Sequence, residues 1–559
     1  MALLTKLAER QVWRKAPSWL PSWLAGISAG LIYYLTSAPT ISWAHNSQDS
    51  GELAACAATL GIAHPTGYPL YTLLGWLAIH VFPWIDPARV MVLLSVLSSA
   101  VGVGIIARTG TLAVRLAWDK GPASWANGRR AELWGGLAAG FAAINYIIWS
   151  QAVICEVYSL AFLFQALGWF CLVKYLELKH SGDESGAGKV LTAFGFVVGL
   201  IFSHHIAGAS ILLPALIVLL FRPPKRPVAA MAKSVAAMLP GLASYIYLPV
   251  RSLQNPFLDW GNPENLRNFL GHVTASQYQH LVFGVSWEEF WARAGVFQWP
   301  MYWGIIGVVL AFAGILACVL TRRITAIGAL VWGIVPYSLW ILAFATGYDV
   351  SDFYIFYYPL TAPVSILIAV GLAFLATRLV RFPKAKALPW ALAAIVLGVL
   401  IVNGGLRWVD MDCSNPLQNS AAINAYKQLS EMPQGSLIVL GTDGGLFSLM
   451  YGSLCGITDA VTGEKLPPRD DLDMLASGWV LRKWYRENTL DRYGPDGRLK
   501  MQDDQIKDFK TALSAFVDLN LVNRPVYVDI QVRTQLEQGP GVYQFEPRGT
   551  LFEVSRDKD

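Results

Sequence analysis

Eleven stretches of this chain are apolar over about the length needed to cross a lipid bilayer. A helix spans the hydrocarbon core, about 30 Å thick, with about 20 mostly apolar residues. Such segments lie near residues 22–42, 89–107, 132–150, 157–176, 190–204, 206–221, 229–248, 300–320, 324–345, 357–377 and 387–405. They predict an α-helical polytopic membrane protein, and the composition agrees. The chain is 54% hydrophobic and 14% charged, where soluble domains carry about 25% charge. That is too little charge to cover a single soluble core of 559 residues. Six cysteines are too few for a secreted disulfide scaffold. The 22 Trp, 22 Tyr and 25 Phe exclude a disordered chain. His204 and His205 interrupt the apolar run of 190–221, so a hairpin tip is expected there.

Lys and Arg favour the cytoplasmic side of short connections. One set of connections holds Lys6, Arg10, Arg14 and Lys15, then clusters at 108–130, 174–189, 222–233, 322–323 and 378–386, twenty-two residues in all. The alternate set, before residue 406, holds only Arg89, Arg251, Arg267 and Arg293. The N-terminus is therefore expected in the cytoplasm, and everything after about residue 406 outside. The expected location is the plasma (inner) membrane, or the endoplasmic reticulum membrane in a eukaryote. The first apolar segment follows a basic region, as in a signal peptide. It has no evident small-residue cleavage site, so an uncleaved first span is expected.

Composition shifts near residue 406, where charge rises and apolar runs shorten. The expected division is a transmembrane domain over 1–405 and an extracytoplasmic soluble α/β domain over 406–559. In the latter, 436–441 and 525–530 read as buried strands. Helical patterns fall at 419–431, 471–487 and 503–519. Three outer loops carry polar residues: 43–88, 249–298 and 346–356.

The densest polar cluster near the membrane is His45-Asn-Ser-Gln-Asp-Ser-Gly-Glu52. Asp49 and Glu52, three residues apart, share one face of a helical turn. Two acids beside a bilayer with no neighbouring base either have raised pKa values or bind something. The alternative is a solvated loop with Asp49 or Ser50 as a helix cap. Gly61-Ile-Ala-His-Pro-Thr-Gly-Tyr-Pro-Leu70 is a rigid turn that holds His64 in fixed geometry, for catalysis or for structure. Glu156 sits at a membrane boundary, where an acid is costly unless paired or wet; it lines an outer cavity or anchors Arg251. His204 and His205 lie at the same level, without a Cys or carboxylate at metal-ligand spacing. Arg251 is placed to meet a phosphate or to anchor at the lipid surface. Asp352 and Tyr354 crowd the third loop.

These residues resemble a known family. Asp49-Ser-Gly-Glu-Leu53 followed by Leu60-Gly-Ile-Ala-His-Pro-Thr-Gly-Tyr-Pro-Leu-Tyr71 is similar to the signature of the plexin-type protein O-mannosyltransferases and their bacterial relatives. That family lies within the GT-C superfamily of polytopic glycosyltransferases. Thr66 stands where the family more often has a second small residue or Pro. Weaker similarity continues at Trp149-Ser…Glu156-Val-Tyr-Ser-Leu160, Gly199-Leu…His204-His205 and Tyr247-Leu-Pro…Trp260-Gly261, over roughly residues 20–300. Gly441-Thr-Asp-Gly-Gly-Leu-Phe447 and Gly456-Ile-Thr-Asp459 resemble the extracytoplasmic domain of bacterial members, without the acidic pair usual after Asp443.

The resemblance implies transfer of a sugar, mannose, from a polyprenyl-phosphate sugar to a hydroxyl of a protein or glycan, with inversion. Asp49 matches the acidic first-loop position of GT-C enzymes, with Glu52 its close competitor as base. His64, Tyr68, Glu156, His204, His205, Arg251, Trp260, Asp352 and Tyr354 are the expected substrate-binding residues. No metal and no cofactor beyond the lipid-linked donor is expected. The partners are the donor, the acceptor and membrane lipid, not nucleic acid. Two alternatives remain on the sequence: a transporter of a polar or lipid-linked substrate, and a non-catalytic receptor.

Overall fold

The computed structural model describes residues 19–118, 128–296, 299–320, 327–380, 387–480, 482, 484–485 and 509–556. Each of the eleven expected spans falls on a helix. Among the described residues, eight helices are long and apolar enough to cross a membrane. A ninth span forms if Arg129–Ala143 and Tyr146–Ala152, bent by 67° at their junction, count as one. The other two expected spans are Leu20–Thr36 and the shorter apolar pair within Ile206–Phe221. The first helix stops at Thr36 rather than 42, because Pro39 favours extended backbone before it. The expected hairpin tip is present: helix Glu184–Phe202 ends, and a 3₁₀ turn at Ile206–Ile211 starts the return. Lys6, Arg10, Arg14, Lys15, Lys120, Arg322, Arg323, Arg381, Lys384 and Lys386, which contribute to the expected orientation, lie outside the described residues.

Burial separates inner helices from outer ones. The most apolar windows of Tyr158–Ser181 and Phe353–Leu379 are 78% and 83% buried, against 17% for Pro227–Ser252 and 22% for Leu388–Met411. The outer helices present Leu239, Ile401, Val402 and Leu406 with no protein over them. Contiguous apolar surface of that kind marks a lipid-facing belt.

The last apolar helix runs to Met411, so the division expected at 405/406 falls inside it. Beyond it lies a five-stranded mixed sheet in the order β4-β1-β5-β7-β6. The strands are β1 (Leu437–Leu440), β4 (Asp473–Ala476), β5 (Val526–Val528), β6 (Tyr543–Arg548) and β7 (Leu551–Arg556); β2 (Ile457–Thr458) and β3 (Lys465–Leu466) form a separate ribbon. β1 runs parallel to both β4 and β5, and β7 is antiparallel to β5. The two expected strands are β1 and β5. The helix expected over 471–487 is instead β4 followed by a 3₁₀ turn at Ser477–Trp479. Residues 473–476 are all buried against β1, so sheet pairing overrides the local pattern there. Residues 503–508 of the third expected helix lie outside the described residues; its remainder is Phe509–Leu521.

This domain is keyed into the helical bundle. Its helix Asp443–Cys455 lies along helix Ser50–Thr59 of the first loop. Trp43 Nε1 donates to the Gly444 carbonyl at 3.0 Å, and Tyr451 Oη donates to Asp86 at 2.8 Å. Asn419 Nδ2 donates to the Ile41 carbonyl at 2.6 Å. The approach is closest at Gly51, where an added Cβ would lie 2.2 Å from the Phe447 carbonyl oxygen. Both partners there are helical backbone and cannot swing aside. Gly51→Ala should therefore cost about 1–3 kcal/mol. It should lower the thermal midpoint and make the C-terminal domain more sensitive to limited proteolysis; an unchanged midpoint and digestion pattern would contradict this packing.

Candidate active site

The first outer loop folds into two short helices, Ser50–Thr59 and Pro69–Val81, joined by the turn of the signature. Helix Ser50–Thr59 ends in a left-handed Leu60, with φ of 54°. Gly67 and Tyr68 are also left-handed, and Pro69 starts the second helix, a position that tolerates its missing N–H. The second loop holds this turn from outside. Ile62 N–H donates to the Leu258 carbonyl at 2.7 Å, and Tyr247 Oη to the Gly61 carbonyl at 2.7 Å.

The turn brings His64 back onto the carboxylates. Glu52 is buried, its side chain 1% exposed, and both of its oxygens serve His64. Oε2 lies 2.6 Å from His64 Nδ1, and Oε1 accepts the His64 backbone N–H at 2.8 Å. On the other ring edge, His64 Nε2 is 3.8 Å from Asp49 Oδ2 and 3.2 Å from Tyr68 Oη. Asp49 precedes the helix but its side chain makes no capping bond. Its carboxylate remains 38% exposed. The cap alternative is thereby removed for Asp49, and the two acids are unequal: Glu52 is enclosed and committed, Asp49 is open.

Electrostatics follow from this arrangement. Burial by itself lowers the His64 pKa, but the Glu52 and Asp49 carboxylates and the Glu52 hydrogen bond outweigh it and raise it to about 10. His64 is an imidazolium at neutral pH. Burial, and to a lesser degree Glu52, raise the Asp49 pKa, while His64 draws it down; the net direction is up. Burial pushes Glu156 well above the carboxylate range, and Asp49 adds to it. Glu156 accepts from Ser47 Oγ at 3.4 Å and from the Val157 N–H at 3.3 Å, so it does not anchor Arg251. Asp352 is raised by burial and then by Asp49, which places it in the same field. Asp49, Glu52 and His64 present ligand-type atoms within 4.8 Å of one another. A protonated His64 would join such a ligand set only by giving up its proton.

The other expected residues divide. Tyr68 stacks on His205 with ring centroids 6.2 Å apart, and Trp260 meets His64 edge-on at 5.8 Å. Burial lowers His205 to about 3, so it is neutral and lines the pocket as an aromatic wall with Tyr68 and Tyr158. His204 is buried and turned away, its Nε2 2.8 Å from the Val157 carbonyl. Tyr354 Oη accepts from Asn46 Nδ2 at 3.0 Å, at the rim. Arg251 is engaged elsewhere. Its Nε and Nη2 donate to the Leu60 and Thr59 carbonyls at 2.7 and 3.1 Å, and Nη1 to Gln254 at 2.6 Å. It closes the C-terminal end of the Asp49–Glu52 helix, where orphan carbonyls favour a cation.

Three residues that sequence reasoning did not place in the site stand on its far side. Trp479, just after β4, meets Trp260 with centroids 3.6 Å apart, and Phe447 meets it at 6.0 Å. Asp443 is exposed at the start of its helix and lies in the electrostatic field of Asp49 and His64. Asp443 and Phe447 both stand inside the Gly441–Phe447 motif, which was visible; nothing local to Trp479 connects it to His64.

The fold defines a class, a GT-C-like polytopic helical bundle carrying a C-terminal α/β domain. The crystal structure of ArnT from Cupriavidus metallidurans bound to undecaprenyl phosphate aligns with a TM-score of 0.54 over 95% of this chain and 97% of that one, at 12% identity. In sequence, residues 49–229 match the family model described as the Protein O-mannosyl-transferase TMEM260 N-terminal domain. Protein O-mannosyl-transferase TMEM260 of Mus musculus is 27% identical over 458 residues, covering 78% of this chain and 60% of that protein. Its Dictyostelium discoideum counterpart is 23% identical over 587 residues, covering 95% and 66%. The chain thus spans about 60% of the length of the mouse relative. The resemblance drawn from the signature and the GT-C-like fold drawn from the spans are both borne out.

The His64 charge makes stability depend on pH in a defined direction. Its folded pKa, about 10, lies above the ordinary histidine value of 6.5. The stabilisation is therefore complete below about 6.5 and is lost as pH rises through about 10. Thermal midpoints of the wild type and Glu52→Gln should differ most at about pH 6, narrow above it and converge as pH approaches about 10. A gap that stays constant over that range would show that His64 is not the titrating group.

Proposed function

We propose that this protein is a glycosyltransferase that moves a mannosyl group from a polyprenyl-phosphate mannose to a hydroxyl, on a protein or glycan, at the extracytoplasmic face. The observation that carries the reading is one open carboxylate, Asp49, beside a buried Glu52–His64 ion pair where the first loop packs against the C-terminal domain. The relatives' printed names support a protein hydroxyl acceptor and mannose. The undecaprenyl phosphate of the ArnT complex supports a lipid-phosphate donor.

Asp49 acts as general base. As the acceptor oxygen bonds to the anomeric carbon, its proton passes to the Asp49 carboxylate. The bond from the anomeric carbon to the phosphate oxygen breaks, and its electron pair leaves with the polyprenyl phosphate. One displacement inverts the anomeric centre. The leaving phosphate gathers charge, which the His64 imidazolium and the Tyr68 hydroxyl are placed to meet. Glu52 holds the imidazolium in its charged form and fixed orientation. The imidazolium supplies positive charge between the two acids.

Donor and acceptor approach from different sides. A groove of about 350 Å³, lined by Ile206, Ala207, Ser210, Leu213, Trp340 and Phe344, begins one residue beyond His205. An apolar chain lying there would leave its phosphate beside Tyr68 and His64. Asp443 and Trp479 wall the opposite side, away from the bilayer, where a polar acceptor enters. A transporter would place its polar residues near mid-bilayer; here Asp49, Glu52 and His64 lie outside the spanning helices.

Asp49→Asn should lower transfer from polyprenyl-phosphate mannose about 10²–10⁴-fold, assayed with a chelator present, while the thermal midpoint and polyprenyl-phosphate binding hold. Transfer at the wild-type rate would remove Asp49 as the base. Asp443→Asn should raise the acceptor KM several-fold and leave the donor KM unchanged. A change confined to the donor KM would contradict the assignment of sides.

A further inference from the structure

His272 takes no part in the chemistry above, yet it is one of the most enclosed polar side chains in the second loop. It sits in the last turn of helix Leu266–Val273 and is 3% exposed. Two left-handed glycines press on its two ring nitrogens. A Cβ added at Gly67 would lie 2.8 Å from His272 Nε2, and one added at Gly261 would lie 2.6 Å from Nδ1. Gly67 has φ of 83° and Gly261 of 77°. Neither ring nitrogen makes a well-formed hydrogen bond, and the Ala63 backbone is within reach of the ring. The imidazole is thus wedged under the stretch Ala63–Gly67 that carries His64, with Gly261 behind it, one residue from Trp260.

We propose that His272 is a positioning residue: held between Gly67 and Gly261, it sets the turn that delivers His64 to Glu52 and Asp49. The inference deepens the reading of the same site and rests on it for the catalytic consequence. Its structural content stands apart from sugar transfer. The turn needs such a support because its own sequence supplies little. Gly67 N–H donates to the His64 carbonyl at 2.7 Å, but left-handed residues at 67 and 68 give the backbone no regular ladder. The residues just before this stretch, 60–62, are held from 247–260 by the Tyr247 hydroxyl, the Arg251 guanidinium and the pairing of Ile62 with Leu258 and Trp260. His272 extends that brace to the residue just past His64.

A side chain under His64 must also be neutral. The charged or titratable groups about His64 are Glu52, Asp49, Glu156 and Asp443 as acids, with His205 and His272 as bases. Burial first, and then the charge on His64, hold His272 uncharged. A Lys or Arg at this position would compete with His64 for the carboxylates. A compact neutral group with polar edges fits the space between two glycines and a backbone carbonyl.

The test uses the full chain reconstituted in lipid nanodiscs, with His272→Leu and His272→Gln as the variants. Leu keeps bulk and loses the polar edge; Gln returns an amide nitrogen toward Ala63. Diethyl pyrocarbonate acylates neutral imidazole, so peptide mass spectrometry of carbethoxylated His64 at neutral pH reports how firmly Glu52 holds it. Wild-type His64 should resist the reagent. His272→Leu should raise its reactivity about tenfold, which corresponds to one pKa unit, and shift the alkaline limb of the transfer–pH profile downward. His272→Gln should stay near the wild type. Unchanged His64 reactivity in a folded His272→Leu variant would overturn the proposal, and so would equal loss in both variants. If His64 responds as expected while no chain transfers sugar, the glycosyltransferase reading fails and the positioning role stands.

Discussion

A carboxylate buried as completely as Glu52 must find a positive partner, because an isolated ionised group in an apolar interior costs several kcal/mol. The rest of the site follows from that demand. The partner is His64, twelve residues on, and it reaches Glu52 only because the chain reverses through Pro65, Gly67 and Tyr68. Both oxygens of Glu52 are then occupied, one by the ring and one by the backbone N–H. Asp49, on the same helical face, is left with an open carboxylate and a cation 3.8 Å away. Two acids three residues apart thus come to differ in exposure and in partner.

The location of this pair matches the two phases that the proposed substrates would occupy. A polyprenyl tail is at home only in hydrocarbon, and a hydroxyl acceptor only in water. The helices facing lipid end beneath the first loop, and the C-terminal domain stands above it. The close contact at Gly51 and the bond from Trp43 to Gly444 dock that domain directly on the first loop rather than leaving it a tethered appendage. Trp260 bridges the two bodies, with its ring against His64 on one side and Trp479 on the other.

The spans were legible because hydrocarbon imposes a length and a composition that few other structures need. The signature was legible because acids and a Pro/Gly turn next to an apolar span have few other uses. Its internal geometry was not. Spacing put Asp49 and Glu52 on one face but could not tell which would be buried, since that depends on the turn at 64–68 and on the second loop bracing it. Arg251 read as a phosphate ligand because a cation at a membrane boundary commonly is one. In the structure its donors reach back across 190 residues of sequence to close a helix end at Thr59 and Leu60. The strand at 473–476 carried a helical pattern that pairing with β1 overruled. His272 and Trp479 had no local signal, because each matters only through what the fold brings beside it.

The central claim is that Asp49, and not Glu52, faces the reacting centre. The most direct measurement is a cryo-EM structure of the full chain with a non-hydrolysable polyprenyl-phosphonate mannose bound. The account predicts an Asp49 oxygen within one hydroxyl's breadth of the anomeric carbon, opposite the phosphonate, with Glu52 still paired to His64. Density showing Glu52 released from His64 and turned to the sugar, or the sugar lodged away from both acids, would contradict it.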